Sequence, residues 1–303
     1  MTTTAQGENP VPPSEIKPPA ARSRGNTRLA GRWASPVLLV GLVVVVLILG
    51  VSLLAGLLTP LDPLKPNLGH RLLPPWTTRG GILHVLGTDQ LGRDILARLL
   101  YGGRVSLLVG ATTVLIAGSI GVLLGLVAGF FGGRLDTVVM RLADVQLGFP
   151  IVLLAILLIA IFGPGMWKLV IILAAGSWVV YARTVRSIVL SLREHEFVEA
   201  ARALGGGDTR LLTRHILPNL TAPVMIIATI QVGQVILLES ALSFLGLGVQ
   251  PPTPSWGVMI SEGRGYIHLA WWLVTVPGLL LALLVISMNM VGDGLRDVVE
   301  PEG

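Results

Sequence analysis

The sequence predicts an all-α polytopic membrane protein with six transmembrane helices. Hydrophobic residues make up 52% of the 303 residues and charged residues only 13%, whereas about a quarter of a typical soluble domain is charged. Six apolar stretches are each long enough to cross a hydrocarbon core, which requires about 20 helical residues. They lie at residues 36–58, 105–131, 138–162, 167–190, 221–245 and 269–291.

The segments around these stretches complete the predicted domain organisation. Residues 1–35 are rich in proline and lack a periodic apolar pattern, which predicts a disordered cytoplasmic N-terminal tail. The first stretch exceeds the apolar core of a signal peptide, so we expect an uncleaved first helix there. The remaining divisions are an extracytoplasmic loop at 59–104, a transmembrane core at 105–292 with a cytoplasmic loop at 191–220, and a cytoplasmic C-terminal tail at 293–303.

The distribution of lysine and arginine predicts that both termini lie in the cytoplasm. With that orientation, fourteen of the 22 basic side chains fall on the inner side of the membrane and eight on the outer side. This is the bias that the positive-inside rule describes. The net charge of +5 follows from the same bias, so we expect no nucleic-acid partner.

The chain lacks the residues that several kinds of catalytic and metal-binding site require. There is no cysteine, which excludes disulfides, thiolate metal sites and cysteine nucleophiles. The five histidines form no H-E-x-x-H pair, and the chain has no Gly-Lys pair with which to build a nucleotide phosphate loop. We therefore expect no catalytic residue, no metal site and no cofactor bound by this chain.

A short polar segment between the fourth and fifth apolar stretches has the pattern of two capped helices. Ser191 and Glu194 form an S-x-x-E capping box, which predicts that a helix starts near Leu192. Three glycines at 205–207 predict the end of that helix. Asp208 predicts the cap of a second helix, which should stop just before Pro218.

The first of these helices is amphipathic. Its apolar stripe lies opposite three charged residues, which predicts a small helix–turn–helix that docks into a partner. An ordinary solvated loop is the alternative. The stripe consists of Phe197, Ala200, Ala201 and Leu204.

The same segment resembles a known loop. The letters "EAARALG" followed by "HILP" are similar to the E-A-A loop of permease subunits in binding-protein-dependent ABC importers. His215 departs from the general pattern, which has isoleucine there, and Ile216 follows one place later. The matching residues are Glu199, Ala200, Ala201, Gly205, Leu217 and Pro218.

Two further segments resemble one branch of that family. They are "LGTDQLGRDILARLLYGGRVSL" at 86–107 and "ALSFLGLGVQPPTPSWG" at 241–257. Both are similar to the second permease subunit of dipeptide and oligopeptide importers. The resemblance runs from the first apolar stretch to "GDGLRD" at 292–297, and it implies a type I ABC importer permease fold.

The resemblance implies a non-catalytic subunit of a larger importer in the bacterial cytoplasmic membrane. The chain would form half of a path for di- or oligopeptides, within membrane lipid and beside a second homologous permease subunit. One or two ABC ATPase subunits would use ATP and Mg²⁺, and an extracytoplasmic substrate-binding protein would deliver the cargo. The ATPase-coupling residues would be Glu199, Ala200, Ala201, Leu204, Gly205, Leu217 and Pro218.

Two alternatives to a peptide importer stay open. The same architecture carries nickel, glutathione or other solutes in close relatives of the peptide permeases. An ion-coupled secondary transporter would need no ATPase, but it predicts charged or histidine residues at the membrane midplane and broken helices. The sequence shows neither feature clearly.

The fifth apolar stretch carries three polar side chains on one broad side. Because polar groups are costly against lipid, this side should face protein or a watery path. These residues either line the translocation path or form hydrogen bonds between helices, and the sequence favours neither role. They are Gln231, Gln234 and Glu239.

The second apolar stretch carries a row of small residues. Small residues at steps of four lie on one helix face and let another backbone approach closely. We expect this row to pack against another helix of the same subunit, and a subunit interface is the alternative. The row consists of Ala117, Gly121, Gly125 and Gly129.

Overall fold

A computed structural model describes residues 36–299 of the protein, and the predicted N-terminal tail lies outside this range. Within it the chain is mainly helical, with one small antiparallel hairpin of two strands, β1 (Thr77–Arg79) and β2 (Ile82–His84). The helices are α1 (Pro36–Leu53), α2 (Ala55–Leu58), α3 (Ile95–Phe131), α4 (Gly133–Leu147), α5 (Ile151–Phe162), α6 (Met166–Leu192), α7 (Glu196–Ala203), α8 (Asp208–Leu211), α9 (Leu217–Phe244), α10 (Trp256–Gly263) and α11 (Trp272–Val299).

The long helices account for the predicted membrane spans. In the described part of the chain, five helical segments are long and apolar enough to cross a membrane, and α4 with α5 makes a sixth if the pair counts as one span. The fourth of the five long segments runs without a break from α8 through a π-helical turn (Leu212–Ile216) into α9. The all-α fold that the sequence predicts is thus confirmed.

The third predicted span is broken, which the apolar pattern did not indicate. Helices α4 and α5 meet at an angle of 87°. Pro150 precedes α5 in an extended conformation, and proline disfavours helix at the residue before it. The predicted span at residues 138–162 therefore contains a turn of the backbone next to Pro150.

Two predicted boundaries also differ from the structure. Helix α3 begins at Ile95, ten residues before the predicted span, because Asp94 caps it by accepting a hydrogen bond from the Ala97 N–H at 2.9 Å. Residues 95–104, which the sequence analysis assigned to a loop, are therefore its first turns. Helix α11 continues to Val299, so most of the predicted C-terminal tail is helical.

The row of small residues in α3 packs against α6 of the same chain, as expected. A Cβ atom at Gly121 would lie 2.4 Å from the carbonyl oxygen of Trp178, and one at Gly125 would lie 2.5 Å from that of Ala182. At Gly129 it would lie 2.8 Å from the Cβ of Val189. The two backbones therefore approach closely along this seam.

The two ends of the bundle are built differently. At the end where α6 stops, α7 and α8 form a helical hairpin, and this is called the hairpin end. At the opposite end, the segment at 59–94 is fixed to α10 by a buried ionic network. Arg98 Nη1 lies 2.7 Å from both Asp89 Oδ2 and Glu262 Oε2.

Candidate functional site

The first helix of the hairpin ends in a Schellman turn. The Gly206 N–H donates to the Ala201 carbonyl at 3.0 Å, and the Gly205 N–H donates to the Arg202 carbonyl at 3.0 Å. Gly205 has a φ angle of +81°, a left-handed conformation that glycine adopts without steric cost. The prediction that glycine ends this helix is confirmed.

The residues of the E-A-A resemblance face away from the body of the protein. Glu199, Ala200 and Gly205 are exposed, Ala201 is half-buried, and Leu204 is 89% exposed. Leu217 and Pro218, at the start of α9, are exposed as well. Most of the predicted coupling residues are therefore accessible at the hairpin end.

A different residue anchors the hairpin. Val198 is fully buried and packs in a cluster with Leu211, Ile216, Val189 and Phe130. The predicted stripe that starts at Phe197 lies one position out of phase with this inward face. Val198 and Ala201 are apolar and three residues apart, so they lie on one helix face. This spacing could have identified Val198 as the anchor.

Two predicted caps and one predicted stop are wrong. Ser191 lies in the last turn of α6, and α7 starts at Glu196 without a side-chain cap, because the buried face of α6 continues to its end. Asp208 is the first residue of α8 and accepts no capping hydrogen bond. Pro218 lies in the first turn of α9, which follows the π-helical turn directly, and the helix continues past it.

A groove of about 320 Å³ opens between the two arms of the hairpin. Its floor is Ala201, Gly206 and the buried Leu211, and Leu204 stands at its edge. The remaining lining side chains are Arg210, Arg214 and His215. The groove thus offers an apolar floor and a basic wall to whatever covers this surface.

A second cavity, of about 380 Å³, lies at the break in the third span. It is half open and is bordered by the end of α4, the turn at 148–150, the start of α5, the middle of α6 and the middle of α9. Its polar lining residues are Gln146, Ser177, Gln231 and Gln234. The cavity is therefore amide-lined and lies halfway along the membrane-spanning helices.

The structure separates the three polar residues predicted for one side of α9. Gln231 and Gln234 line the cavity. Glu239 does not line it and is completely buried nearer the opposite end of the bundle. Gln146, which also lines the cavity, was not among the predicted site residues, because it follows Arg141 and Asp144 in a helix that is already polar on one side.

Glu239 is surrounded by serine hydroxyls. Ser243 and Ser255 donate to its Oε1 at 2.7 and 3.1 Å, and Ser106 and Ser240 donate to its Oε2 at 3.3 Å each. These serines come from α3, α9 and the start of α10. The carboxyl group therefore joins three elements by hydrogen bonds, which was the second of the two predicted possibilities for this residue.

The described residues include no grouping of three histidine, aspartate or glutamate side chains that could hold a metal ion. His84 lies between Asp94 and His70, with its Nδ1 2.8 Å from Asp94 Oδ2 and its Nε2 3.0 Å from His70 Nδ1. These contacts fasten β2 to the cap of α3, so they have a structural purpose.

Sequence comparison identifies relatives along most of the chain. The family described as "Binding-protein-dependent transport system inner membrane component" matches residues 121–302. The chain is 44% identical to the di/tripeptide transport system permease protein DppC of Pseudomonas aeruginosa (strain UCBPP-PA14), over 86% of this chain and 87% of that protein. It is 43% identical to the dipeptide transport system permease protein DppC of Escherichia coli (strain K12), over 87% and 88% of the two chains.

A solved structure shares the fold. The match is to a chain of the MetNI methionine ABC transporter in an inward-facing conformation, with a TM-score of 0.52 and 20% sequence identity, over 66% of this chain and 96% of that chain. This likeness shows the type I importer permease fold. Together with the family match, it establishes that the chain belongs to the binding-protein-dependent transport system inner membrane components, the permease subunits of ABC importers.

Proposed function

We propose that this chain forms half of the translocation path for di- or oligopeptides in an ATP-driven importer. The observation that carries the proposal is the outward presentation of the E-A-A residues on a hairpin that is anchored from below by Val198. The peptide cargo is supported by relatives that are named for dipeptide and di/tripeptide transport and that are 43–44% identical to this chain.

The proposal assigns the hairpin to an ATPase subunit. The partner would cover the exposed Leu204, the small surface at Ala200 and the groove beside Arg210 and Arg214. ATP and Mg²⁺ would be bound by one or two such ATPase subunits, and this chain would be non-catalytic. Both termini and the hairpin would then lie in the cytoplasm.

The continuous helix behind the hairpin supports transmission of movement. The second arm of the hairpin passes through the π-helical turn into α9 without a flexible loop. Gln231 and Gln234 lie on that same helix, at the cavity. A partner that moves the hairpin would therefore move the wall of the cavity directly, as one helical element.

The remaining partners follow from the surfaces at the other faces. A second homologous permease subunit would complete the path beside the cavity. An extracytoplasmic substrate-binding protein would deliver cargo at the end opposite the hairpin. Large apolar side chains on α1 and α2 are exposed, among them Leu47 at 59% and Leu57 at 84%, and membrane lipid would cover them.

Reconstitution tests the proposal. Proteoliposomes that contain this chain, the second permease and the ATPase, with binding protein outside, should accumulate labelled dialanine only when ATP is enclosed. Nickel and glutathione should not compete for uptake. Uptake that follows an ion gradient without the ATPase would show a secondary transporter and would contradict the proposal.

A further inference from the structure

The cavity at the break in the third span contains no charged side chain in the part of the chain that the structure describes. Its volume of about 380 Å³ falls in the range of small-molecule sites, roughly 300–1,000 Å³. Its polar groups are three glutamine amides and the hydroxyl of Ser177, and that hydroxyl already donates to the Leu173 carbonyl at 2.8 Å. The amides are therefore the groups available to a ligand.

The three amides differ in how they are held. Gln146 is fixed at both ends, because its Nε2 donates to the Gly176 carbonyl at 2.7 Å and its Oε1 accepts from the Trp178 indole N–H at 2.6 Å. Gln231 is only 7% exposed. Within the described residues, neither Gln231 nor Gln234 has a side-chain hydrogen bond to the protein. The amides of Gln231, which is mostly buried, and of Gln234, which is exposed at the mouth of the cavity, are therefore free to bond a ligand.

The amide group has the chemistry of the peptide bond. Each glutamine offers a carbonyl acceptor and an N–H donor, which matches the N–H and C=O of a peptide backbone irrespective of its side chains. A fixed charge in this place would hold one class of charged cargo tightly and repel the other. Neutral dipoles bind weakly enough to release the cargo again, as a conduction path requires.

The cavity depends on a close approach between α5 and α6. Gly176 lies opposite the first residue of α5, and a Cβ atom there would fall 1.8 Å from the Cδ1 of Ile151. Gly176 therefore lets the start of α5 close one side of the cavity while the turn at 148–150 opens the other. This arrangement brings the start of α5 against the wall that carries the amides.

We propose that this cavity is a binding station for the backbone of the transported peptide, where Gln231 and Gln234 provide the hydrogen bonds and the absence of fixed charge makes passage insensitive to the charge of the cargo. The inference rests on the proposed function, because it assumes a peptide cargo. It adds the group that is recognised, the peptide unit, and the property that is ignored, the side-chain charge.

A pair of opposite charges at one position tests the proposal. Gln234 is exposed and should tolerate both Gln234→Glu and Gln234→Lys. Uptake of Ala-Ala, Ala-Asp and Ala-Lys is measured in proteoliposomes, and each rate is divided by the wild-type rate for the same peptide. This ratio cancels the preference of the binding protein, which is common to all variants.

The expected result is a reversal of selectivity. Gln234→Glu should slow Ala-Asp by about tenfold relative to Ala-Lys, and Gln234→Lys should do the reverse, because a nearby like charge repels the side chain of the cargo and an opposite charge attracts it. The matched controls are Gln90→Glu and Gln90→Lys, which place the same charges in the segment at 59–94, outside the cavity. They should leave the three ratios equal.

Equal ratios for the three peptides in both Gln234 variants would overturn the proposal, and so would a uniform loss of uptake for all three. Failure of the proposed function is distinguishable, because the wild-type importer would then accumulate none of the three peptides with ATP.

Discussion

Three of the four serines around Glu239 connect the carboxyl group to backbone N–H groups. Ser106 accepts from the Trp256 N–H at 3.3 Å, Ser243 from the Val249 N–H at 3.1 Å, and Ser255 from the Val258 N–H at 3.3 Å. Each of these hydroxyls donates to the carboxyl group at the same time. The fold of the segment between α9 and α10 therefore depends on one buried side chain.

Replacement of Glu239 should destabilise the protein. Glu239→Ala removes the acceptor for four buried hydroxyls, and unsatisfied buried polar groups cost about 1–3 kcal/mol each. We expect the detergent-solubilised variant to unfold at a lower temperature than the wild type. Tryptophan fluorescence measures the unfolding temperature. Gln234→Ala, on the same helix but exposed, is the control. An unchanged unfolding temperature in Glu239→Ala would show that the serine cluster contributes no stability.

The turn at Gly205 depends on backbone conformation alone. A Cβ atom at Gly205 or at Gly207 would meet no atom within 4 Å, but only Gly205 has a positive φ angle. Gly205→Ala should therefore loosen the end of α7 at a cost of about 1 kcal/mol, while Gly207→Ala should not. Hydrogen–deuterium exchange of the hairpin amides measures the difference, and equal exchange in the two variants would exclude a strained turn.

At the scale of elements, the seam between α3 and α6 could be predicted because it depends on a simple spacing of small residues. The bend between α4 and α5 could not be predicted from hydropathy, because the apolar run is continuous across Pro150. Apolar content reports burial or lipid contact and not the direction of the backbone. The capping box at Ser191 wrongly predicted a helix start, because α6 packs against its neighbours and continues through Ser191.

The close packing of α3 against α6 predicts that a larger side chain at a seam glycine destabilises the protein. Gly125→Ala places a Cβ atom 2.5 Å from the backbone oxygen of Ala182, so the helices must separate. Overpacking of this kind costs about 1–3 kcal/mol. Thermal unfolding of the purified chain should shift downward in this variant and stay unchanged in Gly50→Ala, which meets no atom within 4 Å. Equal unfolding temperatures would mean that the seam relaxes freely.

At the scale of the whole molecule, the two segments of family resemblance pack together. Trp256 donates its indole N–H to the Leu99 carbonyl at 3.0 Å, which joins the segment at 86–107 to the segment at 241–257. Sequence patterns identified both segments and the regions of the apolar helices. They did not reveal this long-range contact, or the separation of Glu239 from the glutamines, because depth and rotation along a helix are set by neighbouring helices.

The absence of cysteine makes orientation measurable with single introduced cysteines. Thr253 and Thr209 are exposed at opposite ends of the bundle. If both termini are cytoplasmic, an impermeant maleimide added to intact cells should label Thr253→Cys and not Thr209→Cys. Permeabilised cells should show labelling of both variants. The reverse pattern in intact cells would contradict the orientation.

The central claim is that the hairpin transmits the movement of an ATPase to the helices of the path. Leu204 is the sharpest probe, because its 89% exposure means that the fold of this chain does not depend on it. Leu204→Asp should insert and express as the wild type does, and Leu204→Met is the conservative control.

The decisive measurement is ATP hydrolysis by the reconstituted importer with and without peptide-loaded binding protein. We predict clear stimulation for the wild type and for Leu204→Met. In Leu204→Asp the stimulation should fall by about tenfold, because a charge replaces a desolvated apolar contact at the interface. Normal stimulation together with normal peptide uptake in Leu204→Asp would contradict the claim that this surface couples the permease to the ATPase.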